Sequence, residues 1–158
     1  MTTGTIAPDT EPILQTVRII DAPRRRVFEA FSEEEHITQW WGPRGFSNRD
    51  TQWNFKVGGQ WIFTMHHDEH GDFPNVVTFT EIVEDELIAF DHGEDLNSVL
   101  FKSRIAFEDE DEGDKTRLTM TMTFPSYEIR DQLIEDVGAL EGQKETFDKL
   151  EEFLSKGK

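Results

Sequence analysis

"KTRLTMTMTF", residues 115–124, sets Leu118, Met120, Met122 and Phe124 against Thr119, Thr121 and Thr123 with a period of two. Successive side chains of an extended chain point to opposite faces, so this segment reads as a strand with one apolar side and one wet side. The preceding "SVLFKSRIAFE" (98–108) divides the same way, with Val99, Phe101, Ser103, Ile105 and Phe107 opposing Leu100, Lys102 and Arg104. The acidic "EDEDEGD" (108–114) joins the two as a charged hairpin tip. A sheet built from such strands must cover its apolar face, and another part of the chain has to supply the cover.

The cover follows directly in the sequence. After Pro125, Ile129, Leu133, Val137, Leu140, Phe147, Leu150 and Leu154 recur every three or four residues, with one longer gap at Gln143 and Lys144. That stripe predicts one amphipathic helix running to about residue 154. Gly138 and Gly142 fall away from it and are positions where the helix can bend.

Upstream, "ILQTVRIID" (13–21) alternates as a strand. Pro23 suits the first position of a helix carrying Val27, Phe28 and Phe31 on one face. Ser32 and Glu35 have the spacing of a capping box that starts a second short helix. Gly42 and Pro43 end that helix directly after Trp40 and Trp41. "FSNRDTQWNF" (46–55), "QWIFTMHH" (60–67), "NVVTFTEIV" (75–83) and "ELIAFDH" (86–92) read as further strands. The prediction is an α+β helix-grip arrangement: a curved antiparallel sheet of about six or seven strands around a long C-terminal helix, with two short helices after the first strand. One domain is expected over residues 13–156, behind a disordered tail at 1–12.

Charge narrows the function classes. The 158 residues include 33 acidic against 16 basic, a formal net charge of -17, so a polyanion is repelled across most of the surface. Nucleic acid is therefore a poor candidate partner, as is an anionic membrane face, and neither is expected. There is no cysteine, which removes thiolate nucleophiles and cysteine metal sites and fits a cytoplasmic location. No apolar run is long enough to span a bilayer. Thirteen Phe and four Trp beside a single Tyr are a large ring supply for so charged a chain, and they must gather inside.

A sheet curled around a helix leaves a gap between them, and the expected site lies there. Trp61, Phe63 and Met65, with Phe101, Met120, Met122 and Phe147, are expected to face that gap, together with Phe46 and Phe79. For most of them plain core packing is the reading to expect. Methionine and phenylalanine also suit an irregular pocket for an apolar guest. Of Trp40 and Trp41, either both are core, or one packs inside while its neighbour, about 100° round the helix, reaches the mouth of the gap. Glu81 shares the inward face if its strand has no bulge, with Ser103 or His67 as a candidate partner; the alternative is a local hydrogen bond near a strand end. His92 and Asp91 end the next strand and are equally open. "HHDEH" (66–70) reads as a solvated turn rather than a metal site, since His66 and His67 point to opposite faces. No metal, no cofactor and no catalytic residue is expected; there is no G-x-S-x-G, and no Gly-rich strand-to-helix turn for phosphate.

"DAPRRRVFEAFSEEEHITQWWGP" (21–43), "VGGQWIFTM" (57–65), "FTEIVEDELIAF" (79–90) and "GALEGQKETFDKLEEFL" (138–154) resemble the family named for the activator of the heat-shock protein 90 ATPase, within the START-like, birch-pollen-allergen-like superfamily. The resemblance covers about residues 14–154. Members often carry Asp and, two residues on, Arg before the paired glycines, where this chain has Asn54 and Lys56; a tryptophan frequent after the second helix glycine is Gln143 here. The resemblance implies the helix-grip fold. It leaves three functions: a non-catalytic binding protein for a small apolar or aromatic molecule, a co-chaperone module acting on a heat-shock protein 90 type ATPase, and a cyclase- or hydrolase-like enzyme using Glu81 or a histidine in the same gap. A homodimer through an edge strand is compatible with the sequence, though nothing in it demands one.

Overall fold

Strands β7 (Phe101–Glu110) and β8 (Lys115–Thr123) pair antiparallel, with Ser103 opposite Met122, Ile105 opposite Met120 and Phe107 opposite Leu118. Ser103, Ile105, Phe107, Leu118, Met120 and Met122 are buried, while Lys102, Arg104, Thr119, Thr121 and Thr123 lie on the other face, as the alternation requires. The turn between them holds Asp111, Glu112 and Gly113 in the left-handed region, a charged tip with nothing to bury.

The computed structural model describes residues 4–8, 10–96 and 98–156. Around the central pair lie β1 (Gly4–Ile6), β2 (Ile13–Ile20), β3 (Phe46–Trp53), β4 (Gln60–His67), β5 (Gly71–Val83) and β6 (Leu87–Gly93), in the spatial order β1-β2-β8-β7-β6-β5-β4-β3. Every pairing is antiparallel. Helices α1 (Arg24–Ser32) and α2 (Glu34–Trp40) follow β2, and α3 (Tyr127–Val137) and α4 (Ala139–Lys156) follow β8. Phe147, Leu150 and Leu154 of α4 are buried in one core with Val27, Phe28 and Phe31 of α1 and the inward residues of the sheet. This is the α+β helix-grip fold.

The structure departs from the sequence reading in four places. The terminal helix is two helices, because Gly138 takes a left-handed conformation (φ 67°) as the cap of α3. The expected stripe divides with it: Phe147, Leu150 and Leu154 are buried, whereas Ile129 and Leu140 are exposed, and the side chain of Val137 lies outside the described residues. Ser32 ends α1 rather than starting α2, and no capping box forms; extended Glu33 is the residue between the helices. Val99 and Leu100 precede β7 and are exposed, so the apolar alternation there continues beyond the strand. Finally, part of the expected tail is held in place. Gly4–Ile6 pairs with Gln15–Val17 of β2, and the buried Arg130 of α3 donates to the carbonyls of Pro8, Glu11 and Ile13. Nη1 of Arg130 gathers all three carbonyls while its Nε pairs with Asp131 at 3.0 Å, an arrangement that composition does not reveal. Residues 1–3 and 9 of that segment lie outside the described residues.

Candidate functional site

The helix break opens a hollow. Gly138 and Gly142 present no side chains toward the sheet at the α3–α4 junction, and opposite them β8 offers Met120, Met122 and Phe124. Between them lies a cavity of about 240 Å³. Phe101 of β7, Met65 of β4, Leu133 of α3 and Trp41 complete its apolar wall, and Gln143 and Thr146 line it from α4.

Trp40 and Trp41 take two different roles, Trp40 as the last residue of α2 and Trp41 just beyond it in an extended conformation. Trp40 is buried against Phe31 (ring centroids 4.8 Å), with its Nε1–H donated to the carbonyl of Ala30 at 3.1 Å. Trp41 packs against Trp61 and Phe90 and turns another edge to the cavity. Gly42 then bends the chain with φ 96°, where a side chain would meet Met65 Cε at 2.6 Å; glycine here lets Met65 close the wall. Pro43 lies over Gly142, whose absent Cβ would stand 3.3 Å from Pro43 Cγ. Lys149 Nζ donates to the Gly42 carbonyl at 3.0 Å, and the Arg44 amide donates to Glu145 at 3.1 Å. The segment after α2 is thereby fastened to α4 across the rim.

His92 is the only titratable side chain among the described residues that line the cavity. Its Nε2 lies 2.7 Å from Asn75 Oδ1, and Asn75 Nδ2 donates to the Phe73 carbonyl at 2.9 Å. Burial pushes the imidazole down to about 4, because the charged form loses its hydration, so the ring is neutral at pH 7. Thr146 spends its hydroxyl on the Gly142 carbonyl at 2.8 Å. Gln143 donates Nε2 to Met122 Sδ at 2.7 Å and keeps Oε1 buried without a hydrogen-bond partner.

The sequence profile described as Activator of Hsp90 ATPase homolog 1-like protein matches residues 21–155, from the turn before α1 almost to the end of α4. The chain belongs to this family. No curated protein matches it. Among solved structures, a Mycobacterium smegmatis protein is similar at TM-score 0.88 and 21% identity, covering 99% of both chains. A Nitrosomonas europaea protein is similar at TM-score 0.83 and 24% identity, covering 95% of this chain and 98% of that one. An Aeromonas hydrophila protein described as AHSA1-like is similar at TM-score 0.68 and 15% identity, covering 90% of this chain and 93% of its own. At these identities the likeness shows the fold alone.

In this Activator of Hsp90 ATPase homolog 1-like chain, Trp41, Met65, Phe101, Met120 and Met122 come together at the cavity. Trp40, Trp61, Phe63, Phe79 and Phe147 are buried in the core instead. Trp61 stacks on Phe63 at 3.7 Å, and the void that Trp61 and Phe79 share with Trp41 is only about 10 Å³, no more than a water's room. Ser103 is buried beside Met122 in the ladder, its hydroxyl without a partner. Two expected residues lie elsewhere. Phe46 packs outside the cavity on His67 and Phe73. Glu81 faces solvent and pairs with Arg104 at 3.2 Å, because a bulge between Phe79 and Glu81 reverses the face it was expected to share. Its assignment as an acid or base in the gap, with Ser103 or His67 as partner, falls with that bulge. His67 instead accepts the amides of Glu69 and His70 at 3.0 and 3.2 Å in the turn. Among the described residues no group of three His, Cys, Asp or Glu is placed to hold a metal ion, and no helix is long and apolar enough to cross a membrane.

Sequence reasoning underweighted His92, although its signal was available: it stands two residues after Phe90, on the same inward face of β6. Leu133, Gly142, Gln143 and Thr146 were less legible, since they line a space that exists only because the helix breaks.

Proposed function

We propose that this protein binds a small apolar or aromatic molecule, without catalysis, in the cavity between the sheet and the C-terminal helices. The observation that supports the reading is the wall itself: mainly rings, thioethers and glycines around about 240 Å³, interrupted by one neutral imidazole, one carboxamide and one hydroxyl. A guest burying about 300 Å² of its own apolar surface gains about 7 kcal/mol at roughly 25 cal/mol per Å², before the costs of association. Micromolar affinity is within that range. Native mass spectrometry of freshly purified protein, with tryptophan fluorescence across an apolar ligand panel, tests the reading. The expected result is a retained or added guest that quenches or shifts Trp41 emission, and that Leu133→Trp excludes while the circular dichroism spectrum is unchanged. No guest by mass and no change in emission would sink it.

A second reading rests on the family's name, which describes relatives of an activator of the Hsp90 ATPase. A surface of net charge -17 favours a basic patch on such a partner. Stimulation of the host's own Hsp90-class ATPase by the purified chain, lost as salt is raised, is the result this reading expects.

A further inference from the structure

The polar groups on the cavity wall have their roles fixed from outside it. The Phe73 carbonyl accepts only, so the Asn75 nitrogen must face it at 2.9 Å and Asn75 Oδ1 must face His92. Opposite that oxygen, 2.7 Å away, His92 Nε2 has to carry the proton. A neutral imidazole has one donor and one acceptor nitrogen, so Nδ1 is left as the acceptor. A backbone carbonyl of β5 thus sets, through one amide, the tautomer of a ring on the cavity wall. Gln143 spends one of its two N–H bonds on Met122 Sδ, and its Oε1 has no partner among the described residues. Thr146 has given its hydrogen to the Gly142 carbonyl. The wall therefore offers His92 Nδ1 and Gln143 Oε1 as acceptors, beside the second N–H of Gln143 and the indole N–H of Trp41.

Charge restricts the guest further. No Lys, Arg, Asp or Glu is among the described residues lining the cavity, and the nearby Lys149 is turned to the carbonyls of Gly42 and Pro43. An anionic guest would enter against a net charge of -17 and meet no cation. A cationic one would lose its hydration without meeting a carboxylate.

We propose that the cavity selects an uncharged aromatic molecule bearing one hydrogen-bond donor, a phenol-like hydroxyl or a ring N–H, which is received by Nδ1 of His92. The inference rests on the ligand-binding reading of this cavity and adds its selectivity. It makes His92 the residue that determines specificity, with Asn75 as a positioning residue acting through it.

Isothermal titration calorimetry at pH 7 with naphthalene, naphthol and naphthoate separates the two levels. An apolar cavity with no acceptor binds naphthol more weakly than naphthalene, because its hydroxyl is desolvated without compensation. With the acceptor, naphthol is expected to bind about three- to tenfold tighter than naphthalene, and naphthoate weakest of the three. In His92→Phe the advantage of naphthol over naphthalene disappears while naphthalene still binds. Asn75→Asp supplies a carboxylate that keeps the imidazole protonated, turns Nδ1 into a donor, and moves the preference from naphthol to naphthoate. Naphthalene binding as tightly as naphthol in the unaltered protein overturns the inference and leaves the ligand-binding reading standing. So does a naphthol preference that survives in His92→Phe, or one that Asn75→Asp leaves unchanged. Failure of naphthalene and naphthol alike to bind removes both.

Discussion

The two ends of the sheet–helix gap are built from the same kind of strand and finish differently. Under α1 and α2, Phe28 and Phe31 meet Phe107 edge-to-face at 5.3 and 5.4 Å, Phe31 meets Trp40, and Trp41 meets Trp61, so the inward rows are filled by rings from the facing helices. Under the α3–α4 junction the facing positions are Gly138 and Gly142, and the sheet presents Met120, Met122 and Phe124 to about 240 Å³ of space. Trp41 stands between, packed on the filled side and bare on the hollow one. An apolar face is therefore not enough to make a core. Each row closes only where the covering element brings side chains of matching volume, and interiors pack to crystal-like density only there.

The comparison is most exposed to failure at Phe31. Removing a ring that touches Phe107, Trp40 and Trp41 in the filled end leaves a cavity that neighbours cannot collapse into, so Phe31→Ala should destabilise by about 3–5 kcal/mol in urea unfolding. A loss under about 1 kcal/mol would mean that this end is as loose as the other.

The hollow end has its own signature in acid. His92 titrates at about 4 in the folded chain against 6.5 unfolded, so between those values the unfolded state binds the extra proton. Stability from this residue is complete above pH 6.5, falls as pH drops toward about 4, and levels off below, a total of about 3 kcal/mol. Urea midpoints measured across that window should flatten in His92→Phe relative to the unaltered chain. An unchanged slope would show that water already reaches the imidazole.

The smallest effect belongs to the thioethers. Met122→Ala enlarges a space that is already open and should cost about 2 kcal/mol, at the low end for a buried methionine. A cost equal to that of Phe31→Ala would erase the difference between the ends.

Much of this contrast was legible before any coordinates. The alternation in β7 and β8 and the ring-bearing face of α1 follow from periods of two and 3.6 alone. Glu81 shows where periodicity stops: one extra residue in β5 turns it from the gap to Arg104, and nothing in "FTEIV" marks the bulge. Phe46 shows the same limit, since a strand at the sheet's edge need not follow the centre inward. His92 stood at a readable inward position, but the roles of its nitrogens depend on Asn75, seventeen residues away in the chain.

The sequence by itself determined most of the strands, the inward faces of β7 and β8, the ring-bearing face of α1 and the family, because these depend on short-range period and local motif. The tertiary structure decided where the gap stays empty, which nitrogen of His92 is an acceptor, and that Arg130 holds the N-terminal segment in place. Those depend on which distant atoms meet: volume left between two packed layers, and hydrogen bonds whose donors and acceptors lie on different strands and helices.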